Sequence, residues 1–151
     1  MPSAALMAFL HHLAAFTVVA ALAVEFALFK PPLLLAQARR LQRIDSVFGA
    51  AAAAVLIIGL LRVFYFEKGP SYYWHDAFFL MKLGAFLAAG LISIYPTVVF
   101  LSWKQVMKAG QAPEVSAVVA LRIRRCLLLE LGAIVLILLG AALMARGFGH
   151  F

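Results

Sequence analysis

Four long apolar stretches dominate the chain, and short segments with charged and turn-forming residues separate them. Each stretch is at least as long as the roughly 20 apolar residues that a helix needs to cross a bilayer. None shows the alternation of apolar and polar positions that is typical of strands. The pattern therefore predicts four membrane-spanning helices, over about residues 4–29, 45–66, 77–101 and 118–145.

The connections between these stretches are short. Short loops place consecutive helices side by side and antiparallel, so we expect an all-α, up-down four-helix bundle. Residues 1–151 are expected to form this single transmembrane domain, with the lipid bilayer as its main partner.

Composition supports the membrane interpretation. Of the 151 residues, 66% are hydrophobic and 13% are charged, and the mean hydropathy is +1.05. A soluble domain carries about a quarter charged residues, so an ordinary soluble protein is excluded. The formal net charge is nevertheless +7. Because the basic residues lie at the ends of apolar stretches and not along one soluble face, nucleic acid is not expected as a partner.

The same basic residues predict the orientation of the bundle. They concentrate in the first and third connections, whereas the charges of the second nearly cancel. Lys and Arg are retained on the cytoplasmic side, so both termini are expected to face outward from a bacterial cytoplasmic (inner) membrane. The residues that carry this bias are Lys30, Arg39, Arg40, Arg43, Lys104, Lys108, Arg122, Arg124 and Arg125.

A polar cluster is predicted in the cytoplasmic half of the bundle. It contains the acidic residues Glu25, Asp45 and Glu130, with Arg43 and either Arg124 or Arg125 within reach. A carboxylate at such depth pairs with a cation or is protonated. Two interpretations stay open: an ion-pair clamp that fixes helix order, and a proton-entry or quinone-contact site.

A second polar group is predicted in the outer half, formed by His11, His12, Arg62, His75 and Lys82. His11 lies fourteen positions before Glu25, which places the two within about 40° on the helix, so both are expected to face the bundle interior. No spanning carboxylate lies at the depth of Arg62 and Lys82. Their charges therefore indicate an exogenous anion, namely lipid phosphate, haem propionates or porphyrin carboxylates, unless both side chains extend to the headgroups.

The remaining chemistry is sparse. The four histidines, His150 included, lack the spacing of a zinc site, although copper or haem iron stays open with His11 as ligand. No nucleophile with a neighbouring base and no glycine-rich phosphate loop is visible, so catalytic residues, and enzyme activity itself, stay undetermined. Small residues in three of the spans favour helix contacts, within one chain or in a homodimer or larger membrane complex, or space for a flat ligand.

The chain resembles a family of uncharacterised bacterial four-helix membrane proteins. The residues that carry the resemblance are Leu10-His11-His12-Leu13-Ala14-Ala15-Phe16, Glu25, Arg43-Ile44-Asp45, Gly59-Leu60-Leu61-Arg62-Val63-Phe64 and Lys82-Leu83. More distantly, the chain is similar to HemJ-type protoporphyrinogen oxidases and to the membrane domain of copper-resistance D-type proteins. The HemJ resemblance implies haem b near His11 and a role for Lys82. Leu80 stands where that family has a second histidine, so Met81 or His75 would have to serve as the other ligand.

Two functions are therefore expected from the sequence. The first is a haem b-binding redox protein that passes electrons between a porphyrin, quinone or oxygen species and the membrane. In it His11 or His12 binds the iron, and Arg62 and Lys82 hold the propionates. The alternative is a non-catalytic membrane accessory subunit or small transporter, in which the same charges clamp helices or bind lipid.

Overall fold

The computed structural model describes residues 2–149, which are 84% helical and contain no strand. Helices α1 (Pro2–Leu28), α2 (Leu35–Leu61), α4 (Ala77–Ser102) and α6 (Ala117–Ala145) are the long elements. A π-helical turn (Arg62–Phe66) continues α2, and α3 (Pro70–Trp74) and α5 (Lys104–Lys108) are short. Within the described range, four helical segments are long and apolar enough to cross a membrane. The all-α, multi-pass membrane bundle predicted from the sequence is confirmed.

Two boundaries differ from the prediction. Helix α2 begins at Leu35, ten residues before the predicted start of the second span, and residues 104–108 form a helical turn in place of a simple loop. The hydropathy pattern marks the membrane boundary, whereas a helix continues beyond the bilayer where its charged side chains are solvated. The segment with Arg39, Arg40 and Arg43 is such an extension.

The bundle is built from two close helix pairs. Helix α1 packs along α2, and α4 packs along α6, while α1 with α6 and α2 with α4 share smaller contacts. This order around the bundle is that of an up-down topology. We call the end that carries both termini the outer end, after the orientation that the basic residues predict, and the opposite end the inner end.

The tightest packing lies in the inner half. Leu22, Leu41, Phe100, Ile123 and Leu127, one or more from each long helix, are fully or almost fully buried there. On the outside the pattern is reversed, because many large apolar side chains point away from the bundle, as a surface in contact with lipid requires. The outer half has only a small core of Val63, Tyr73 and Phe79. It therefore leaves room between the two helix pairs.

Polar side chains join α2 to the α4–α5 segment at the inner end. The guanidinium of Arg39 donates to the Met107 carbonyl at 3.1 Å, and the Gln42 amide donates to the Phe100 carbonyl. Between side chains, the Thr97 hydroxyl donates to Asp45 Oδ1 at 2.7 Å. Such bonds supply part of the attraction between helices that lipid surroundings do not provide.

Helix α6 lies close to α4 at Gly140. A Cβ atom added there would lie 2.9 Å from Met81 Cε and 3.2 Å from the Phe78 carbonyl oxygen. This residue confirms the expected role of small residues in helix contacts. Gly49, Gly84, Gly90 and Gly132 differ, because an added Cβ would meet nothing within 4 Å.

Candidate functional site

A cavity of about 190 Å³ lies in the outer half, where the α1–α2 pair meets the α4–α6 pair. Its polar lining comes from His11 on α1, Arg62 and Glu67 at the π-helical turn, Tyr73 on α3 and Lys82 on α4. Most of the remaining wall is apolar, with contributions from Val55, Leu56, Leu60, Val63, Phe79, Leu83, Phe86, Ile137 and Met144. Three of the five predicted outer residues therefore meet at one cavity.

The imidazole ring of His11 packs against α2 at Gly59. A Cβ atom added at Gly59 would lie 3.1 Å from His11 Cε1, so a side chain there would displace the imidazole by a few tenths of an ångström. The ring lines the cavity, and its Nδ1 atom is buried without a hydrogen-bond partner. Buried polar atoms are nearly always bonded, so this nitrogen calls for an explanation.

Arg62 begins the π-helical turn, and Glu67 follows the turn directly. In a π-helix, groups five positions apart face each other. Arg62 Nη2 accordingly donates to Glu67 Oε1 at 2.6 Å, the one ion pair among residues 2–149. The expectation that Arg62 lacks a protein anion is therefore wrong. The pairing is incomplete, because Arg62 Nε is buried without a partner.

Lys82 reaches the cavity from α4, and its ammonium group lies 5.3 Å from the centre of the Phe79 ring. This contact supplies modest cation–π attraction. Within the described part of the chain, no carboxylate forms an ion pair with Lys82. The cavity thus contains the cations Lys82 and Arg62 and the single acid Glu67.

Tyr73 also lines the cavity and was not predicted as a site residue. Its ring lies 5.0 Å from that of Phe79, and the residue is 8% exposed. Burial, and next the Glu67 carboxylate, raise the pKa of the Tyr73 hydroxyl. The phenol therefore keeps its proton and can donate a hydrogen bond. No signal in the chain separates Tyr73 from its neighbouring aromatic residues.

The other two predicted outer residues lie elsewhere. His12 is exposed, and its Nδ1 donates to the Ala8 carbonyl of the same helix at 2.7 Å. His75 is also exposed, with Nδ1 donating to the Ser71 carbonyl at 2.7 Å. Neither ring lines the cavity. Met81, considered as a second haem ligand, packs towards Gly140, and His150 lies outside the described residues.

The predicted inner cluster forms only in part. Glu25, Asp45 and Glu130 are all buried and interact electrostatically with one another. The two predicted cations turn away: Arg43 Nε faces the Arg39 carbonyl at 3.4 Å, and the Arg124 guanidinium lies 5.1 Å from the Phe26 ring. Arg125 is exposed as well, and no ion pair to these acids forms among residues 2–149, so the structure does not contain the predicted ion-pair clamp.

Metal coordination finds little support in this arrangement. Among residues 2–149, no group of three or more His, Cys, Asp or Glu side chains is placed to hold a metal ion. Haem needs fewer protein ligands but more space. Ligand cavities for drug-sized molecules measure about 300–1,000 Å³, and this cavity measures about 190 Å³. His11, Arg62 and Lys82 fit the chemistry of a haem site, but the volume does not accommodate the macrocycle.

Comparisons with known proteins place the chain among membrane proteins. Neither the curated proteins nor the solved structures gave a match. The expected similarity to HemJ-type and copper-resistance D-type proteins thus stays a prediction. A family model described as Predicted membrane protein (DUF2214) matches residues 3–149, so nearly the whole chain, with both polar layers, is covered. The chain belongs to this family of membrane proteins.

Proposed function

We propose that this protein binds a small amphipathic anion, with an acidic head such as a carboxylate and an apolar body, in the outer cavity. By the predicted orientation, the cavity opens towards the outer side of a bacterial cytoplasmic membrane. Binding sites of this kind combine apolar walls with a few polar groups that fix the orientation of the ligand.

One observation carries the proposal. Two buried nitrogens, His11 Nδ1 and Arg62 Nε, lack hydrogen-bond partners, and both residues line the same cavity. A buried polar atom without a partner costs about 1–3 kcal/mol, which a ligand with polar atoms recovers. Two orphaned nitrogens at one cavity therefore support a polar ligand group at this place.

The charge balance favours an anion as that group. Lys82 and Arg62 line the cavity with one acid, Glu67, whose pairing with Arg62 uses one face of the guanidinium. The Asp76 carboxylate also attracts Lys82, but it does not line the cavity, and its Oδ1 accepts hydrogen bonds from two backbone amides of α4. An acidic ligand head adds negative charge inside the cavity, where Lys82 has no ion-pair partner, and the apolar walls suit a hydrocarbon or aromatic body. A small amphipathic anion meets both conditions.

The first experiment titrates the protein in lipid nanodiscs with 2-naphthoate and measures the heat of binding. A hydrogen bond to a charged group contributes about 1.5–3 kcal/mol, so Lys82→Met should weaken binding about 10- to 150-fold. Lys68→Met is the matched control, because Lys68 is exposed at the same end and packs over the Tyr72 ring at 4.2 Å. Equal affinities of Lys82→Met and the unchanged protein would refute the proposal.

Haem b with a redox role is the second candidate, because the orphaned His11 Nδ1 is suited to binding iron. The two helix pairs would have to separate for the macrocycle to enter. Visible absorption of the protein purified from haem-replete cells decides the matter. A Soret band that is lost in His11→Ala and present in His12→Ala would favour haem. A colourless folded protein would exclude haem and favour the small amphipathic anion as the ligand.

A further inference from the structure

The inner half of the bundle contains a second polar layer to which all four long helices contribute. Glu25 comes from α1, Asp45 from α2 and Glu130 from α6. The fourth helix, α4, contributes Thr97, whose hydroxyl group donates a hydrogen bond to Asp45. The exposed fractions of the three acidic residues are 2%, 6% and 1%. The layer is therefore closed on every side.

Two of the acids have a polar atom that the protein leaves unpaired. Glu25 Oε1 and Glu130 Oε1 are buried without a hydrogen-bond partner. In a native interior such atoms are rare, and each points to a bound species or to protonation. This observation is independent of the clustering of the acids.

Among residues 2–149, no Lys, Arg or His side chain forms an ion pair with these acids. As described above, the guanidinium groups of Arg43 and Arg124 point elsewhere. Cys126, one turn before Glu130 on α6, interacts with that glutamate, but its thiol is not a cation. Three carboxylate anions without a cation would be very unfavourable in a low-dielectric interior. A positive species must therefore accompany them.

A metal ion is a poor candidate for that species, because the three carboxyl groups are not among any described set placed to coordinate one. Protons need no such convergence, since each carboxyl oxygen binds its own proton or shares one with a neighbour. We propose that Glu25, Asp45 and Glu130 form a proton-binding site that holds protons at neutral pH and exchanges them with the surrounding water.

The position of the site limits where its protons go. Glu25 and His11 lie on one face of α1, about 21 Å apart along the helix, and the buried residues Val18 and Leu22 lie between them. On the outer side of the acids Leu22 and Phe48 are buried, and on the inner side Leu41, Ile123 and Leu127 are buried. Apolar side chains therefore enclose the acids towards both ends, and proton exchange requires a local opening of the bundle. The proposal does not depend on anion binding in the outer half.

Infrared spectroscopy tests the site directly, because an un-ionised carboxyl group has a carbonyl stretch that a carboxylate lacks. At neutral pH the protein in nanodiscs should show this band, and the band should shift in D₂O as the protons exchange. Glu25→Gln and Glu130→Gln should each reduce it, and the double variant should remove the contribution of glutamate. Glu114→Gln, at an exposed loop position, should leave it unchanged.

Isotope labelling keeps the test valid if a variant fails to fold. Selective ¹³C labelling of the glutamate carboxyl groups in the unchanged protein should move most of the band to lower frequency, and aspartate labelling should move the rest. The proposal is overturned if the unchanged protein shows no such band at neutral pH, or if the band survives intact in the folded double variant.

Discussion

Gly140 offers the sharpest test of the packing between α4 and α6. A leucine at this position would place its Cβ 3.2 Å from the Phe78 carbonyl oxygen and 2.9 Å from Met81 Cε. The methionine methyl group can turn away, but the backbone of α4 cannot, so the two helices must separate. Overpacking of this kind costs about 1–3 kcal/mol.

Gly132→Leu is the matched control on the same helix, because an added Cβ there meets nothing within 4 Å and the residue is exposed. Both variants gain the same helix propensity of up to about 1 kcal/mol, which cancels in the comparison. For a chain of this size, 1 kcal/mol changes the Tm by about 2–4 °C. Gly140→Leu should therefore melt about 2–12 °C below Gly132→Leu.

Thermal unfolding in detergent, followed by circular dichroism, measures this difference. Lys82 provides a second readout, because an added Cβ at Gly140 would lie 3.6 Å from Lys82 Cβ and any helix separation moves the ammonium group. Gly140→Leu should therefore also weaken 2-naphthoate binding. Equal melting temperatures for the two leucine variants would refute the close α4–α6 contact.

The other predictions concern single polar groups. Thr97→Val removes the hydrogen-bond donor to Asp45 and should lower the free energy of unfolding by about 0.5–1.5 kcal/mol. Thr17→Val is the control, because it loses a hydrogen bond within its own helix and should change the free energy of unfolding less. Urea titration compares the two variants. Glu67→Gln frees Arg62 and removes a charge that repels the anion, so calorimetry should show an affinity for 2-naphthoate that is about fivefold higher. Thermal unfolding should show a change in stability of less than about 1 kcal/mol, because the ion pair is partly exposed. The raised pKa of Tyr73 favours folding below the usual phenol pKa of about 10, and this contribution is lost at higher pH. The free energy of unfolding should therefore fall less steeply above pH 10 in Tyr73→Phe than in the unchanged protein, and equal slopes would contradict this.

The four spans could be predicted because crossing a bilayer demands a long apolar stretch, which hydropathy shows directly. The start of α2 could not be predicted in this way. Residues 35–44 are helical but lie in the basic segment, where hydropathy reports the membrane boundary and not the end of a helix. Helix propensity, with leucine and alanine before Arg39, was the signal available for that extension.

The convergence of His11, Arg62 and Lys82 could be predicted because depth in the membrane follows from position along a spanning helix. His12 was harder to place, since one step along a helix turns a side chain by about 100° and its exposed position depends on how α1 is rotated. Glu67 was missed as the partner of Arg62 because a π-helical turn has no simple sequence pattern. The arginines near the inner acids were within reach by sequence, but their helix faces point outward.

The central claim is that the outer cavity selects a negative charge on an apolar body. The most direct measurement compares 2-naphthoate with 2-naphthamide, its neutral analogue of nearly equal shape, by calorimetric titration of the protein in nanodiscs. The account predicts tighter binding of the acid, and loss of that preference in Lys82→Met but not in Lys68→Met. Equal affinity for acid and amide, or a preference that survives in Lys82→Met, would contradict it.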